Sequence, residues 1–173
     1  VGFPNSGKSS LLKCISNANP KIAAYPFTTI NPSVGIIEED IEDVDQLQIS
    51  VADLPGIIEG SHLNIGRGIS FLKHIKRCRK LIYVINLSEK EHGSVISQFE
   101  KLNFELTKFD EKLNKRPCML IANKLDLIEP KNEKILTKHL TKLNIPLVTT
   151  SAINNINVDI LKVSIRKFVN ETK

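Results

Sequence analysis

The chain has 173 residues, which is the usual size of one domain. Hydrophobic residues make up 41% of it and charged residues 25%, so the composition is that of a globular domain and excludes wholesale disorder. The 24 lysines and arginines against 19 acidic residues give a net charge of +5, which tolerates a polyanionic partner without requiring one. Because no apolar run approaches the ~20 residues of a membrane-spanning helix, we expect no membrane span.

Three cysteines, Cys14, Cys78 and Cys118, are an odd number without CxxC spacing, which indicates neither a disulfide framework nor a zinc site. A reducing, intracellular compartment fits this pattern best. No internal repeat or linker divides the sequence, so residues 1–173 are predicted to form one domain. Because the chain starts at Val1 rather than Met and a glycine-rich loop follows at once, we expect this domain to be a segment of a longer protein.

Short runs rich in Ile, Val and Leu alternate with amphipathic helical patterns along nearly the whole chain. The predicted strands are Ser33–Ile37, Leu47–Ala52, Leu81–Leu87, Cys118–Ala122 and Leu147–Thr150. The predicted helices are Lys8–Ser16, Ile69–Lys80, Val95–Asn114, Lys131–Leu143 and Val158–Asn170. This alternation predicts an α/β fold with a mostly parallel central sheet and helices on both faces. The first two strands are predicted to form a hairpin across the acidic segment Glu38–Asp45.

The first chemical motif lies at the start of the chain, where residues 2–9 read GFPNSGKS and satisfy G-x-x-x-x-G-K-[ST]. Its glycines let successive backbone N–H groups curl around an anion, and the helix that follows adds the positive end of its dipole. Lys8 is predicted to reach the β- and γ-phosphates of a nucleotide, and the Ser9 hydroxyl to bind Mg²⁺. The strand that should precede the loop is reduced to Val1, so the first strand of this P-loop fold is truncated. The nucleotide-binding residues predicted here are Gly2, Phe3, Pro4, Asn5, Ser6, Gly7, Lys8, Ser9 and Ser10.

A second motif follows the second predicted strand, where Asp53, Leu54, Pro55 and Gly56 read D-x-x-G. The Asp53 carboxylate is predicted to hold Mg²⁺ through water, and the Gly56 N–H to contact a γ-phosphate, since no side chain obstructs it. Leu54 and Pro55 complete the predicted contact segment. A strand that ends in a Pro-Gly turn would explain these four residues alone, but the motifs on both sides favour the binding interpretation.

The loop upstream of that motif carries two threonines in the segment YPFTT. A threonine there can close over Mg²⁺ and a γ-phosphate, and so order the loop only in the triphosphate state. We assign this role to Thr29 rather than Thr28, and expect Phe27 and Thr28 to lie against the nucleotide. The residue after Gly56 is Ile57, whose hydrophobic side chain cannot orient the attacking water, so intrinsic hydrolysis is expected to be slow.

The base-reading motif follows a strand, because Cys118–Ala122 runs directly into Asn123–Asp126, which reads NKLD. The Asp126 carboxylate can accept hydrogen bonds from the N1–H and the exocyclic amine of guanine, a donor pair that adenine lacks. Asn123 is predicted to tie the base to the phosphate loop, and the Lys124 stem to lie against the ring. The sequence therefore predicts GTP and GDP as ligands, together with Mg²⁺.

The last predicted strand runs into Thr150, Ser151 and Ala152, which match the short loop whose alanine N–H meets O6 of guanine. Contacts with the nucleotide are expected from Ser151, Ala152 and Ile153. A plain turn explains the same residues equally well, and their position after the last strand is what favours the base-binding loop.

Two residues could compensate for the missing water-orienting side chain. The side-chain oxygen of Asn5 lies where it could help to bind a monovalent cation such as K⁺ near the bridging oxygen, in place of an arginine finger. Arg67 could supply such a finger within the chain, although a solvated charge in a loop is the favoured interpretation. Asn5 is therefore the candidate that we retain.

These motifs resemble those of the Obg-family GTPase G domain, over essentially the whole chain. The resemblance rests on GFPNSGKSS (2–10), KIAAYPFTT (21–29), VADLPGIIEG (51–60), GRGISFLKHIKRC (66–78) and NKLD (123–126). It implies a P-loop NTPase G domain that hydrolyses GTP, cycles as a switch and binds the large ribosomal subunit, and so rRNA, during assembly. It also implies a glycine-rich N-terminal domain outside this segment. Departures at residues 62–65, at Lys76 and in the acidic Glu38–Asp45 turn bear on switch dynamics and partner contacts rather than on nucleotide binding.

Two alternatives stay open: a Drg-like translation-associated GTPase, and a guanine-nucleotide-sensing ribosome-binding module in which hydrolysis is incidental. The basic residues Lys73, Lys76, Arg77 and Lys80 could meet rRNA phosphates, although an ordinary solvated helix face is the favoured interpretation. A monomer is expected. Mitochondrial, nucleolar and cytoplasmic locations all fit the sequence, with the mitochondrion preferred.

Overall fold

The structure, a computed structural model, describes residues 1–23, 31–37, 48–54, 74–88, 92–128, 138, 141 and 145–171. Within these ranges the helices are α1 (Lys8–Ile15), α2 (Val95–Phe109) and α3 (Val158–Asn170), with 3₁₀ turns at Glu111–Lys115 and Leu125–Leu127. The strands are β1 (Lys21–Ile22), β2 (Ser33–Ile37), β3 (Ile49–Asp53), β4 (Leu81–Asn86), β5 (Cys118–Asn123) and β6 (Leu147–Thr149).

Two three-stranded sheets carry the fold in this part of the chain. In the first, β2 pairs antiparallel with both β1 and β3, with Ser33 opposite Asp53. In the second, β5 lies between β4 and β6 and pairs parallel with both, with Asn86 opposite Asn123. The predicted hairpin and the predicted parallel sheet are therefore confirmed, and β1 is a short strand that the sequence pattern did not predict.

The residue before the phosphate loop lies alongside β4. The Val1 carbonyl accepts a hydrogen bond from the Val84 N–H at 2.8 Å, and the Val1 nitrogen donates to the Ile82 carbonyl at 2.7 Å. Bonds from one residue to positions 82 and 84 follow the pattern of a parallel strand pair. The phosphate loop therefore leaves the sheet at the same edge at which β4, β5 and β6 end.

Helices cover both faces of the parallel sheet, because successive side chains of a strand point to opposite sides. On one face, Leu81, Tyr83 and Ile85 of β4 pack in a core with Leu102 and Leu106 of α2. The core on the opposite face joins α1 and α3 to the sheet through Leu11, Ile15, Val84, Ile121, Leu161 and Ile165. This two-sided packing is the predicted arrangement, and it fixes the start of α1 beside the ends of the parallel strands.

A polar cap ends α2 earlier than the apolar pattern predicts. The predicted helix Val95–Asn114 stops at Phe109. Asp110 adopts an extended backbone there, and its carboxylate accepts a hydrogen bond from the Lys112 N–H at 3.0 Å, which starts the 3₁₀ turn that follows.

The helix predicted over Ile69–Lys80 is also shorter at its end, because its described part is helical only at residues 74 and 75. Arg116 donates hydrogen bonds to the carbonyls of Ile75 and Cys78, so the backbone acceptors at this end point to a guanidinium instead of continuing the helix. The first part of this helix, the turn Glu38–Asp45 and most of the helix Lys131–Leu143 lie outside the described residues.

Candidate functional site

The phosphate loop turns sharply between the sheet and α1. Gly7 has a φ of 90° and Asn5 a φ of 59°, both in the left-handed region that glycine adopts freely and asparagine tolerates. A side chain on Gly2 would place its Cβ 2.4 Å from the Val84 carbonyl oxygen, and one on Gly7 would lie 2.2 Å from Asn123 Nδ2. Gly2 is therefore required by the close approach of the β4 backbone, and Gly7 by the Asn123 side chain and by its own positive φ.

The Phe3 carbonyl lies at the centre of the loop's own hydrogen bonds. It accepts from the Ser6 N–H at 3.3 Å and from the Lys8 ammonium at 2.9 Å. Burial lowers the pKa of Lys8, and the nearby Asp53 carboxylate opposes part of that effect. The Lys8 ammonium is thus held at the loop, where it can exchange a backbone oxygen for a phosphate oxygen.

A hydroxyl and a carboxylate meet beside the loop. Ser9 Oγ donates a hydrogen bond to Asp53 Oδ2 at 2.5 Å, which joins the first turn of α1 to the end of β3. The other carboxylate oxygen, Asp53 Oδ1, is buried and has no hydrogen-bond partner among the described residues. Because Mg²⁺ takes oxygen ligands of this kind, directly or through water, the two residues fit that ion. The third predicted ligand, Thr29, lies outside the described residues.

Asn123 connects the phosphate loop to the base-binding loop. It is the last residue of β5, only 2% exposed, and its Nδ2 donates to the Ser6 carbonyl at 3.0 Å. Its Oδ1 accepts from the Ala152 N–H at 3.2 Å and from the Thr150 hydroxyl at 3.3 Å. One buried side chain therefore sets the separation of the two loops.

Asp126 lies in the 3₁₀ turn that follows Asn123. Its Oδ1 accepts a hydrogen bond from the Ser151 hydroxyl, which in turn accepts from the Asn154 N–H at 3.3 Å. Lys124 has a left-handed backbone, with a φ of 69°, which turns the chain sharply between Asn123 and Asp126. The carboxylate is thus oriented by the protein itself.

The base-binding loop follows β6, and Ser151 pairs with Ile156 across it. The Ser151 N–H donates to the Ile156 carbonyl at 3.2 Å, and the Ile156 N–H donates to the Ser151 carbonyl at 3.0 Å. Asn155 and Asn157 have left-handed backbones, with φ of 58° and 59°, and they shape the turn. The sequence interpretation did not single out these two asparagines. In the sequence, the only indication of such a turn is the residue type, because asparagine tolerates the left-handed region.

Two residues beside the site belong to none of the motifs. The Cys14 thiol, on α1, donates a hydrogen bond to the Ala152 carbonyl at 3.4 Å. His92 Nε2 lies 2.9 Å from the Pro4 carbonyl oxygen. Neither residue was assigned to the nucleotide site in the sequence analysis. Both contacts arise between segments far apart in the chain, so a single sequence carries no signal for them.

The other residues predicted to contact the nucleotide differ in their burial. Phe3 and Leu54 have their side chains in the core, so only their backbones can face a nucleotide. Ile153 is 82% exposed in the base-binding loop. The predicted contacts that lie outside the described residues are Phe27, Thr28, Thr29, Pro55 and Gly56.

Two of the basic residues considered for rRNA binding have partners within the protein. The Lys80 ammonium donates to the Phe168 carbonyl and, at 3.0 Å, to the Val169 carbonyl, both in the last turn of α3. Lys76 forms an ion pair with Asp110 at 3.5 Å. Both residues follow the two helical residues 74 and 75, so they lie in a turn rather than on the predicted solvated helix face, and Lys80 is engaged with α3.

Residues 1–124 match the family of 50S ribosome-binding GTPases. The chain belongs to that family. It is 45% identical over 159 residues to mitochondrial ribosome-associated GTPase 2 of Homo sapiens, covering 92% of this chain and 37% of the relative. It is 40% identical over 177 residues to the GTPase Obg of Pseudothermotoga lettingae, covering 100% of this chain and 39% of the relative. The chain thus spans less than two-fifths of the length of these relatives, and its resemblance to the Obg family is confirmed.

Solved structures show the same fold. The G domain of the FeoB iron transporter of T. maritima matches with a TM-score of 0.70 at 23% identity, over 98% of this chain and 96% of that one. The cytosolic domain of the same transporter in its GMPPNP form matches with a TM-score of 0.70 at 18% identity, over 100% and 63% of the two chains. The predicted P-loop GTPase G-domain fold is therefore confirmed. Across the described ranges, no helix is long and apolar enough to cross a membrane.

Proposed function

We propose that this GTPase domain binds GTP and GDP with Mg²⁺ across the two loops joined by Asn123, and that it hydrolyses GTP slowly as a molecular switch. The observation that carries the proposal is the buried Asn123 amide, which bonds to the Ser6 carbonyl and to the Ala152 N–H. A ligand lying across both loops has its phosphates at the start of α1 and its base at Asp126. This arrangement, with phosphate groups at one loop and the base at the other, suits a guanosine polyphosphate.

The chemistry that these residues support is positioning and charge stabilisation, without a covalent intermediate. The Lys8 ammonium leaves the Phe3 carbonyl for a phosphate oxygen and stabilises the charge that develops in the transition state. Ser9 and Asp53 would hold Mg²⁺, with Thr29 as the third proposed ligand, and the ion would supply positive charge that neutralises the phosphates. The Gly56 N–H is assigned to the γ-phosphate on the basis of its motif.

The test of the proposed site is the change Asp126→Asn, measured by calorimetry with GDP, XDP and ADP on the intact protein. The substitution replaces an acceptor oxygen by an amide donor, which clashes with the guanine donors but matches the C2 carbonyl of xanthine. We expect GDP affinity to fall about 100-fold, since two charge-assisted hydrogen bonds are lost, and XDP to bind more tightly than GDP.

The matched control for that change is Asp159→Asn, which removes the same charge from an exposed carboxylate in the first turn of α3. It should leave all three affinities unchanged. The proposal is wrong if the unmodified protein binds ADP as tightly as GDP, or if the preference for guanine survives in Asp126→Asn.

We further propose K⁺ as a second cation, held with the help of Asn5. The Asn5 side chain is exposed in the phosphate loop, two residues after Phe3, whose carbonyl accepts from the Lys8 ammonium. A monovalent cation there would add positive charge near the bridging oxygen of GTP.

The partner that we propose is the large ribosomal subunit, and the mitochondrion is the preferred location. Support comes from the family, described as 50S ribosome-binding GTPases, and from the human relative, named mitochondrial ribosome-associated GTPase 2. Because the chain spans 37% of that relative, the proposal concerns the whole protein rather than this domain alone.

A further inference from the structure

His92 contacts the phosphate loop from a segment that no nucleotide-binding motif includes. It lies between β4 and α2, two residues before the Ser94 cap of α2. Its imidazole stacks on the Phe3 ring, with centroids 4.9 Å apart and planes at 21°. Its Nε2 is 2.9 Å from the Pro4 carbonyl oxygen. One side chain therefore contacts two consecutive residues of the loop.

The hydrogen bond to Pro4 fixes the direction of a peptide group. Because a carbonyl oxygen only accepts, Nε2 of His92 carries the proton and donates it. The Pro4–Asn5 peptide is trans, so its N–H points opposite to its C=O, and a carbonyl held on His92 aims the Asn5 N–H away from the imidazole. Among the described residues that N–H has no hydrogen-bond partner, so it is available to a phosphate oxygen.

The loop needs such a restraint because of its backbone. Asn5 and Gly7 are both in the left-handed region, and Pro4 has no N–H with which to bond to its neighbours. Phe3, by contrast, is anchored in the core, so the His92 stack is built on a fixed ring. A loop held in its binding shape by protein contacts loses less conformational entropy when the phosphates bind.

We propose that His92 is a positioning residue of the phosphate loop, which holds the Phe3–Pro4 segment so that the Asn5 N–H is aimed at the phosphates of the nucleotide. The inference rests on the proposed function, because it assumes that the phosphates of GDP and GTP occupy this loop. It adds a residue from the β4–α2 connection, which contributes no motif, to the residues that shape the phosphate loop.

The test uses the intact protein and separates the phosphates from the base. Affinities for GDP and for guanosine are measured by competition against a fluorescent GDP analogue, since guanosine contacts the base-binding loop without reaching the phosphate loop. His92→Phe keeps a ring for the stack but loses the donor, His92→Gln keeps a donor but loses the ring, and His92→Ala loses both.

We expect His92→Phe to weaken GDP by about 3- to 10-fold, the value of one hydrogen bond, with guanosine unchanged. His92→Ala should weaken GDP further, and His92→Gln should recover part of that loss. The amide resonance of Asn5 should shift in His92→Phe, because its peptide is no longer held. The control is Ser94→Ala, which removes the α2 cap, whose Oγ accepts from the Ser97 N–H at 3.3 Å. It should lower thermal stability without changing the ratio of GDP to guanosine affinity.

The inference would be overturned if the ratio of GDP affinity to guanosine affinity in His92→Phe and His92→Gln equals that of the unmodified protein, whether both affinities are unchanged or both fall by the same factor. If His92→Ala does not fold, His92→Phe and His92→Gln still test the inference. Failure of the unmodified protein to bind GDP would instead overturn the proposed function, so the two failures are distinguishable.

Discussion

The polar side chains of the site are held by protein partners at the level of single residues. Asp126 accepts from the Ser151 hydroxyl, and Asp53 accepts from the Ser9 hydroxyl at 2.5 Å. Groups that are already oriented cost little reorganisation when a ligand binds, and those beside the phosphates cost none when charge develops in the transition state of phosphoryl transfer. The orientation of each carboxylate therefore depends on a hydroxyl that a different motif supplies.

Asn5 offers the residue-scale test of the proposed K⁺. If its side-chain oxygen helps to hold the cation near the bridging oxygen, single-turnover GTP hydrolysis should be about tenfold faster in KCl than in NaCl, a barrier difference of ~1.4 kcal/mol. Asn5→Ala should reduce the KCl rate to the NaCl rate, whereas the control Asn170→Ala, at the exposed end of α3, should keep the difference. Phosphate release at equal ionic strength measures both rates, and equal rates in the two salts would refute the proposal.

At the scale of elements, Lys80 stabilises the end of α3. Its ammonium bonds to the Phe168 and Val169 carbonyls and lies 4.6 Å from the centre of the Phe168 ring. Lys80→Met keeps the stem but removes the charge from the negative end of the helix dipole, so we expect about 1 kcal/mol less stability in urea unfolding.

The control for Lys80 is Lys167→Met in the last turn of the same helix, which also removes a positive charge from the negative end of the dipole but leaves the Lys80 bonds to the Phe168 and Val169 carbonyls in place. Lys167 is 73% exposed and pairs with Glu171 at 3.5 Å, and an exposed pair of this kind contributes less than about 0.5 kcal/mol. A larger loss for Lys167→Met than for Lys80→Met would show that Lys80 does not hold α3.

Elements with a strong apolar period were predictable from the sequence, and their ends were less so. The predicted bounds of α3, Val158–Asn170, are those of the structure. The end of α2 was placed too late, because Asp110 begins a side-chain-capped turn that apolar spacing does not reveal. The strand β1 has two residues and exists only through its pairing with β2. The motifs predicted which residue types form the site. Contacts from residues outside the motifs, such as Cys14 and His92, could be identified only in the folded structure.

At the scale of the whole molecule, the site lies at one edge because the parallel strands end there. Asn123 ends β5, Thr150 follows β6, and the phosphate loop begins beside β4 at Val1. Ligands of open α/β sheets bind at the carboxyl ends of the strands, where helix N-termini and loops converge. The order of the motifs along the chain therefore predicted their meeting in space, and the Asn123 amide sets the distance between them.

Binding to the large ribosomal subunit, the proposed partner, should change the rate of GTP hydrolysis. Ile57 follows Gly56 in the sequence, and because its hydrophobic side chain cannot orient water, we expect the domain to need an additional contribution for fast hydrolysis. If the large ribosomal subunit supplies it, single-turnover GTP hydrolysis by the intact protein should rise by at least about tenfold on adding mitochondrial large subunits, and not on adding small subunits. In Asp126→Asn the same stimulation should appear with XTP and be absent with GTP at equal concentration, because the variant selects xanthine. If the substitution changes the stimulated substrate from GTP to XTP, the hydrolysis occurs at this site and not in a contaminating nucleotidase. An unchanged rate would favour the alternative in which the protein senses guanine nucleotides on the ribosome and hydrolysis is incidental.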